Sequence, residues 1–164
     1  DGNGRTGRLL ITFLLIQKGL VENPVLFLSS FFKKHKQLYY DKLNAYHNGD
    51  IFEWLDFFLN GVIETSEDGI FVSKRIRKIR DKDMEKIQSL AKRESGSSMK
   101  TLRFLFTNPI ITTKNIMKTT GFSRPGAEKV IDRLIELDIL QIYKEERKYD
   151  RKYIYRKYFD AFSD

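Results

Sequence analysis

The residues best suited to chemistry are the first eight, Asp1-Gly2-Asn3-Gly4-Arg5-Thr6-Gly7-Arg8, followed directly by an apolar stretch of helical character. Such a stretch is an anion cradle. Gly2, Gly4 and Gly7 let the backbone approach a ligand closely, and the following helix aims open N–H groups and its positive dipole end at the same spot. Arg5 and Arg8 stand three apart, so both reach one polyphosphate, where charge-assisted hydrogen bonds are strong. Asn3 offers its amide to a phosphate oxygen. Asp1 beside phosphates suits magnesium, which takes one or two carboxylates together with phosphate oxygens. The set asks for a nucleotide. A glycine-rich turn capping a helix, with both arginines in solvent, is the plainer alternative.

Two better-known glycine patterns do not fit. Gly2, Gly4 and Gly7 satisfy G-x-G-x-x-G, and Glu22 falls near the acidic position of a dinucleotide fold. That fold needs a strand before the glycines and alternating strands and helices after them, which this pattern does not supply. A P-loop needs Gly-Lys-Ser/Thr after its glycines, and none follows. With no cysteine there is no disulfide scaffold, Cys-ligated zinc or thiol catalysis, and His35 and His47 alone make no His-rich metal centre. Both histidines are expected on or near helix surfaces.

The elements that hold the front motif read as helices. Thr6 to Lys18 is rich enough in Leu and Ile for a helix buried on most sides, closed by Gly19. After Asn23-Pro24 a second helix is expected from Leu26 to Tyr46, ended by Asn48-Gly49. A third begins near Asp50, an N-cap with Glu53 three residues on, as in a capping box, and carries Trp54, Leu55, Phe58, Leu59 and Val62 along one side. Residues 69–99 read as a basic connecting helix with an apolar stripe of Ile76, Ile79, Ile87 and Leu90. Glu94-Ser95-Gly96-Ser97-Ser98 then reads as a short flexible stretch and the best domain boundary.

The charge is uneven. Residues 1–70 hold 7 Lys and Arg against 9 Asp and Glu, residues 71–100 hold 10 against 4, and residues 101–164 hold 13 against 9. The net charge of +8 therefore belongs to the second half, and points there to nucleic acid or another acidic surface, or to a solvated lysine-rich face. A hydrophobic fraction of 41% with 32% charged residues describes a soluble globular protein of one or two small domains. The apolar run from Leu9 to Ile16 falls far short of the roughly 20 residues that span a bilayer, so no membrane partner is expected and the expected location is cytoplasmic.

Residues 100–164 change character. Lys100 to Phe106 reads as a short helix broken by Asn108-Pro109, and Ile110 to Thr112 as a strand. Thr113 to Thr119 reads as a helix ended by Gly121, and Ser123 caps a longer one to Leu137 with Pro125 near its start. Ile139 to Tyr143 and Lys152 to Tyr155 read as strands joined by a charged turn, and Tyr158 to Phe162 closes the chain. This order looks like a winged helix. The helix from Ser123 would be the recognition helix, presenting Ser123, Arg124, Glu128, Lys129 and Arg133 to a major groove. Lys148, Arg151 and Lys152 of the wing, with Tyr149, suit backbone phosphates. Val130, Ile131, Leu134, Ile135 and Leu137 would face the core. Winged helices also dock proteins, and Glu128, Asp132 and Glu136 dilute the basic face, so DNA and a protein partner both stay open.

Asp1 to Arg8 resembles the latter part of the Fic-domain signature, His-Pro-Phe-x-Asp/Glu-Gly-Asn-Gly-Arg-x-x-Arg. The likeness continues through Leu9-Leu10, through Leu28-Ser29-Ser30-Phe31-Phe32 to the pair Tyr39-Tyr40, and through Trp54 to Leu59 with Gly61-Val62. Many bacterial Fic proteins also carry a C-terminal winged helix with an Arg-x-Tyr-x-Tyr-like wing strand, which Arg151, Tyr153 and Tyr155 resemble. The resemblance implies transfer of AMP from ATP to a Ser, Thr or Tyr hydroxyl of a target protein. It implies that Asp1 holds magnesium and that Asn3, Gly4 and Arg5 bind the α- and β-phosphates, with Gly2 and Gly7 also in the nucleotide site. Arg8 would meet the γ-phosphate or an inhibitory glutamate that competes for it.

The expected architecture is mainly α. It comprises the C-terminal part of an all-α Fic domain over residues 1–95, with the connecting helix at 70–95, and a small winged helix-turn-helix (α+β) domain over 100–164. The chain opens on Asp1 rather than methionine, and a fragment is expected. The signature histidine, the general base on the target hydroxyl by family analogy, would lie four residues before Asp1, so the chain as given is expected to be inactive. The alternative reading is a DNA-binding transcriptional regulator with a degenerate or regulatory Fic domain. A homodimer stays open as an assembly.

Overall fold

The computed structural model describes residues 3–20, 28–143 and 151–163, with the side chains of Asn3, Gly4, Arg5 and Arg8 outside the description. The fold is mainly helical with one small antiparallel sheet. The chain divides into two compact units that part between Phe71 and Val72. No helix among the described residues is long and apolar enough to cross a membrane.

In the first unit, α1 runs Asn3–Gln17, so helix begins inside the glycine-rich stretch rather than at Thr6. Gly19, at φ 68°, ends it as expected. The expected burial of α1 on most sides is not found. Ile11, Leu15 and Ile16 are half-buried, whereas Leu9, Leu10, Phe13 and Leu14 are more than half exposed. The core here is one compact aromatic cluster of Leu28, Phe31, Phe32 and Phe57, against which α1 packs Ile11.

The expected helix from Leu26 to Tyr46 is two helices, α2 (Leu28–Lys34) and α3 (Lys36–His47), meeting at His35 with φ −105° and ψ 40°. The Phe31 and Phe32 rings face the Phe57 ring at 5.1 and 5.9 Å, and Tyr39 meets Trp54 edge-on at 5.6 Å. These contacts place α2 and α3 on the first turns of α4, which runs Ile51–Gln88. Asp50 caps α4, its Oδ1 accepting the Glu53 N–H at 3.2 Å. The reciprocal half of the capping box is absent. The Asp50 N–H is already bonded to the Ala45 carbonyl, and the Glu53 carboxylate takes the Lys42 ammonium at 2.8 Å.

Helix α4 joins what the sequence reading divides into a third helix and a basic connector. No proline stands between Ile51 and Gln88, and Gly69 costs a helix interior only about 1 kcal/mol relative to alanine. The break comes at residues 89–91.

The second unit begins on α4 and continues with α5 (Lys92–Leu105). Glu94 to Ser98, read as flexible, is therefore helical. Its serines are small enough to bury: Ser97 Oγ donates to the Glu94 carbonyl at 3.2 Å and Thr101 Oγ1 to the Ser97 carbonyl at 3.0 Å, while the buried Ser98 Oγ has no hydrogen-bond partner among the described residues.

Strand β1 (Ile110–Thr112), α6 (Thr113–Thr120), α7 (Arg124–Glu136), β2 (Gln141–Ile142), β3 (Lys152–Ile154) and α8 (Arg156–Asp160) follow. The sheet order is β1-β3-β2, with Ile111 opposite Tyr153 and Ile142 opposite the same residue. This is a winged-helix arrangement, as expected. Thr112 and Asn115 form a capping box on α6, and Gly121, at φ 77°, ends that helix through its N–H to the Met117 carbonyl. The core gathers Ile87, Leu102, Leu105, Ile111, Ile116, Val130, Ile131, Leu134 and Tyr155. Two expected core residues depart from that role: Ile135 is exposed and Leu137 only packs at the edge.

Candidate functional site

The first candidate is the start of α1. An α-helix beginning at Asn3 leaves the amides at its start, Asn3 to Arg5, without intrahelical partners. Gly4, Arg5, Gly7 and Arg8 are then helical rather than loop residues, with positions 5 and 8 on one side because they stand three apart. Thr6 and Gly7 are exposed, and a Cβ added at Gly7 would meet nothing, so packing does not demand the glycine there. Asp1 and Gly2 lie outside the described residues. Among the described residues no group of three His, Asp or Glu side chains could hold a metal ion.

The two histidines sit as the sequence suggests. His47 is exposed, and His35 is half-buried against the Phe31 ring, with Nε2 3.7 Å from Glu64.

The second candidate is the basic face of the winged helix, and here the expected residues separate. Arg124 pairs with Glu128 one turn on, at 2.9 Å. Arg133 turns toward α5: its guanidinium pairs with Glu94 of α5 at 2.7 Å, and the side chain is only 17% exposed. Helical spacing explains this, since Ser123, Gly126, Val130 and Arg133 recur every three or four residues and line a groove of about 420 Å³ against α5. Lys129 borders the same groove and is exposed. Ser123 stands at the N-cap of α7 without a side-chain capping bond. Arg151 and Lys152 are exposed at the start of β3, while Lys148 and Tyr149 lie outside the described residues.

Sequence reasoning missed a buried ionic cluster. Asp83 of α4 is 2% exposed and accepts the Tyr155 hydroxyl at 2.7 Å. Its other oxygen lies 3.9 Å from the Lys86 ammonium and 3.7 Å from that of Lys157. Lys86 donates to the Leu137 carbonyl at 2.8 Å, and Lys157 pairs with Asp138 at 2.8 Å. Asp138 itself adopts φ 55° in the turn after α7. The Lys157 ammonium holds the Asp138 carboxyl below its ordinary range. A carboxylate at a stripe position between Ile79 and Ile87 was the available signal.

No known protein-family model matches the chain.

Proposed function

We infer that this chain belongs to a protein that moves AMP from Mg-ATP to a Ser, Thr or Tyr hydroxyl of a target protein, with the winged helix docking DNA or the target. The observation that carries the reading is the position of Asn3-Gly4-Arg5 and Arg8 at the very start of α1. Open amides from Asn3 to Arg5 suit the α- and β-phosphates, and the positive end of the helix dipole adds to them. Positions 5 and 8 fall on one side of the helix, so that Arg5 would serve the α- and β-phosphates and Arg8 the γ-phosphate. The donor set thus fits a triphosphate. Asp1 beside those phosphates has the chemistry of a magnesium ligand, and the ion would offset charge on the phosphate oxygens.

In the reaction the target hydroxyl oxygen bonds to the α-phosphorus, and the bond from that phosphorus to the α,β-bridging oxygen breaks. Pyrophosphate leaves with the electron pair. The hydroxyl proton passes to the histidine that the Fic signature places four residues ahead of the aspartate. What this chain contributes is orientation and fixed positive charge where negative charge builds up.

The test uses a polypeptide in which His-Pro-Phe-x precedes Asp1, incubated with magnesium and ATP labelled at the α-phosphate in cell lysate. Label on protein is expected, lost when that histidine becomes alanine and when Arg5 becomes alanine. Label from γ-labelled ATP would mark phosphoryl transfer instead. No protein label, after Arg8 is freed from any glutamate held against it, overturns the reading.

A further inference from the structure

The recognition helix is not where the second unit keeps its positive charge. Arg124–Glu136 contains three cations, Arg124, Lys129 and Arg133, and three acids, Glu128, Asp132 and Glu136. Two of its cations are committed, Arg124 to Glu128 and Arg133 to Glu94. By contrast, Ser73 to Lys82 on α4 holds six cations and one acid. Arg80 pairs with Asp81, and Arg75 donates to the Ser163 carbonyl. Lys74, Arg77, Lys78 and Lys82 are exposed and make no ion pair among the described residues.

Geometry makes these four one surface. Lys74, Lys78 and Lys82 recur every fourth residue, so they form a ladder about 12 Å long on one side of the helix, with Arg77 beside it. The opposite side of the same turns carries half-buried Ile76 and Ile79 and buried Asp83 and Ile87. The ladder is therefore held outward by the core.

We propose that Lys74, Arg77, Lys78 and Lys82 form the polyanion-binding surface of the second unit, and that its ligand is the phosphate backbone of duplex DNA, gripped without reading sequence. A duplex presents about seven charges over that length, enough to meet all four cations at once. Three of the four are lysines, compact point charges on flexible stems that meet a row of phosphates without needing a fixed bidentate geometry. An anionic membrane is the poorer match. A helix lying on lipid needs an apolar stripe bordering its cations, and the isoleucines of this segment turn inward. The proposal does not depend on AMP transfer, and the two can fail separately.

The experiment measures binding of the whole chain to two fluorescent duplexes of unrelated sequence by anisotropy, between 50 and 200 mM KCl. Four phosphate contacts predict that affinity falls about 100-fold over that range, equally for both duplexes. The triple substitution Lys74→Gln, Lys78→Gln, Lys82→Gln should leave a fall of less than about fivefold. These lysines are exposed and glutamine keeps helix propensity, and an unchanged thermal melt confirms an intact fold. Lys129→Gln should leave the salt dependence of the full chain in place. No duplex binding at 50 mM KCl overturns the proposal. So does a triple variant that binds as before, a preference between duplexes that vanishes with Lys129→Gln, or capture by phosphatidylserine vesicles without capture by duplex.

Discussion

Tyr155 donates its hydroxyl to Oδ2 of Asp83 over 2.7 Å, and this bond ties the end of strand β3 to the last turns of α4 inside the winged-helix core. Both residues are essentially sealed from solvent. A buried carboxylate is tolerated only where its charge is met, and here a phenol and two ammonium groups surround it. Removing one partner leaves the other desolvated, so Tyr155→Phe should cost about 1–3 kcal/mol. A double-mutant cycle with Asp83→Asn should show a coupling of about 0.5–3 kcal/mol in urea denaturation. Strict additivity would reject the bond as a stabilising element.

The same bond sets an alkaline limit. Burial first, and then the Asp83 carboxylate, hold the Tyr155 phenol well above its ordinary ionisation range. The folded phenol keeps its proton while the unfolded one loses it near pH 10, so this contribution is complete below about pH 10 and declines as pH rises further. Lys157 acts in the same window. Burial pulls its ammonium down, but Asp138 and Asp83 outweigh this and raise it. The stability gap between the native chain and Tyr155→Phe should therefore narrow between pH 8 and pH 11. A gap that stays constant across that range would refute the assignment.

Two glycines of α4 should respond to alanine with opposite signs. A Cβ at Gly61 would stand 2.7 Å from Cδ1 and Cε1 of Phe31, whose ring is itself packed on Phe57 and His35. The ring has nowhere to go, and overpacking of this kind costs about 1–3 kcal/mol, more than the gain in helix propensity. At Gly69 an added Cβ meets nothing, so Gly69→Ala should stabilise by about 0.5–1 kcal/mol. Thermal melts of the two variants check both signs at once. A stable Gly61→Ala would mean that Phe31 is less confined than its contacts imply.

The winged helix was legible because its signals are local: Pro109 breaks a helix, Gly121 needs a positive φ, and Val130, Ile131 and Leu134 repeat at core spacing. The helix through Glu94 to Ser98 was not legible because serine and glycine signal a flexible stretch only when exposed, and here Ser97 and Ser98 are buried. Asp83 escaped notice since its partner Tyr155 stands 72 residues away. The exposed faces of Leu9, Leu10, Phe13 and Leu14 were invisible for a related reason, as an apolar stripe records a preference for burial without naming what buries it. The glycine-rich motif was legible as a motif but not as helix, because Gly4 and Gly7 argue locally for a loop.

Arg133 separates a structural cation from a binding one. On sequence it belongs with Arg124 and Lys129 on a groove-reading helix, yet its guanidinium bridges α7 to Glu94 on α5 and is mostly buried. Its side chain lines the groove between those helices and is only 17% exposed, so truncation removes buried surface as well as a pair. Arg133→Ala should lower stability by about 1 kcal/mol and change duplex affinity by less than about threefold. Arg124→Ala, which loses only an exposed pair one turn apart, should cost no more than about 0.5 kcal/mol. Paired melts and anisotropy titrations distinguish the two roles. A large loss of duplex affinity in Arg133→Ala at unchanged stability would return the recognition helix to the groove.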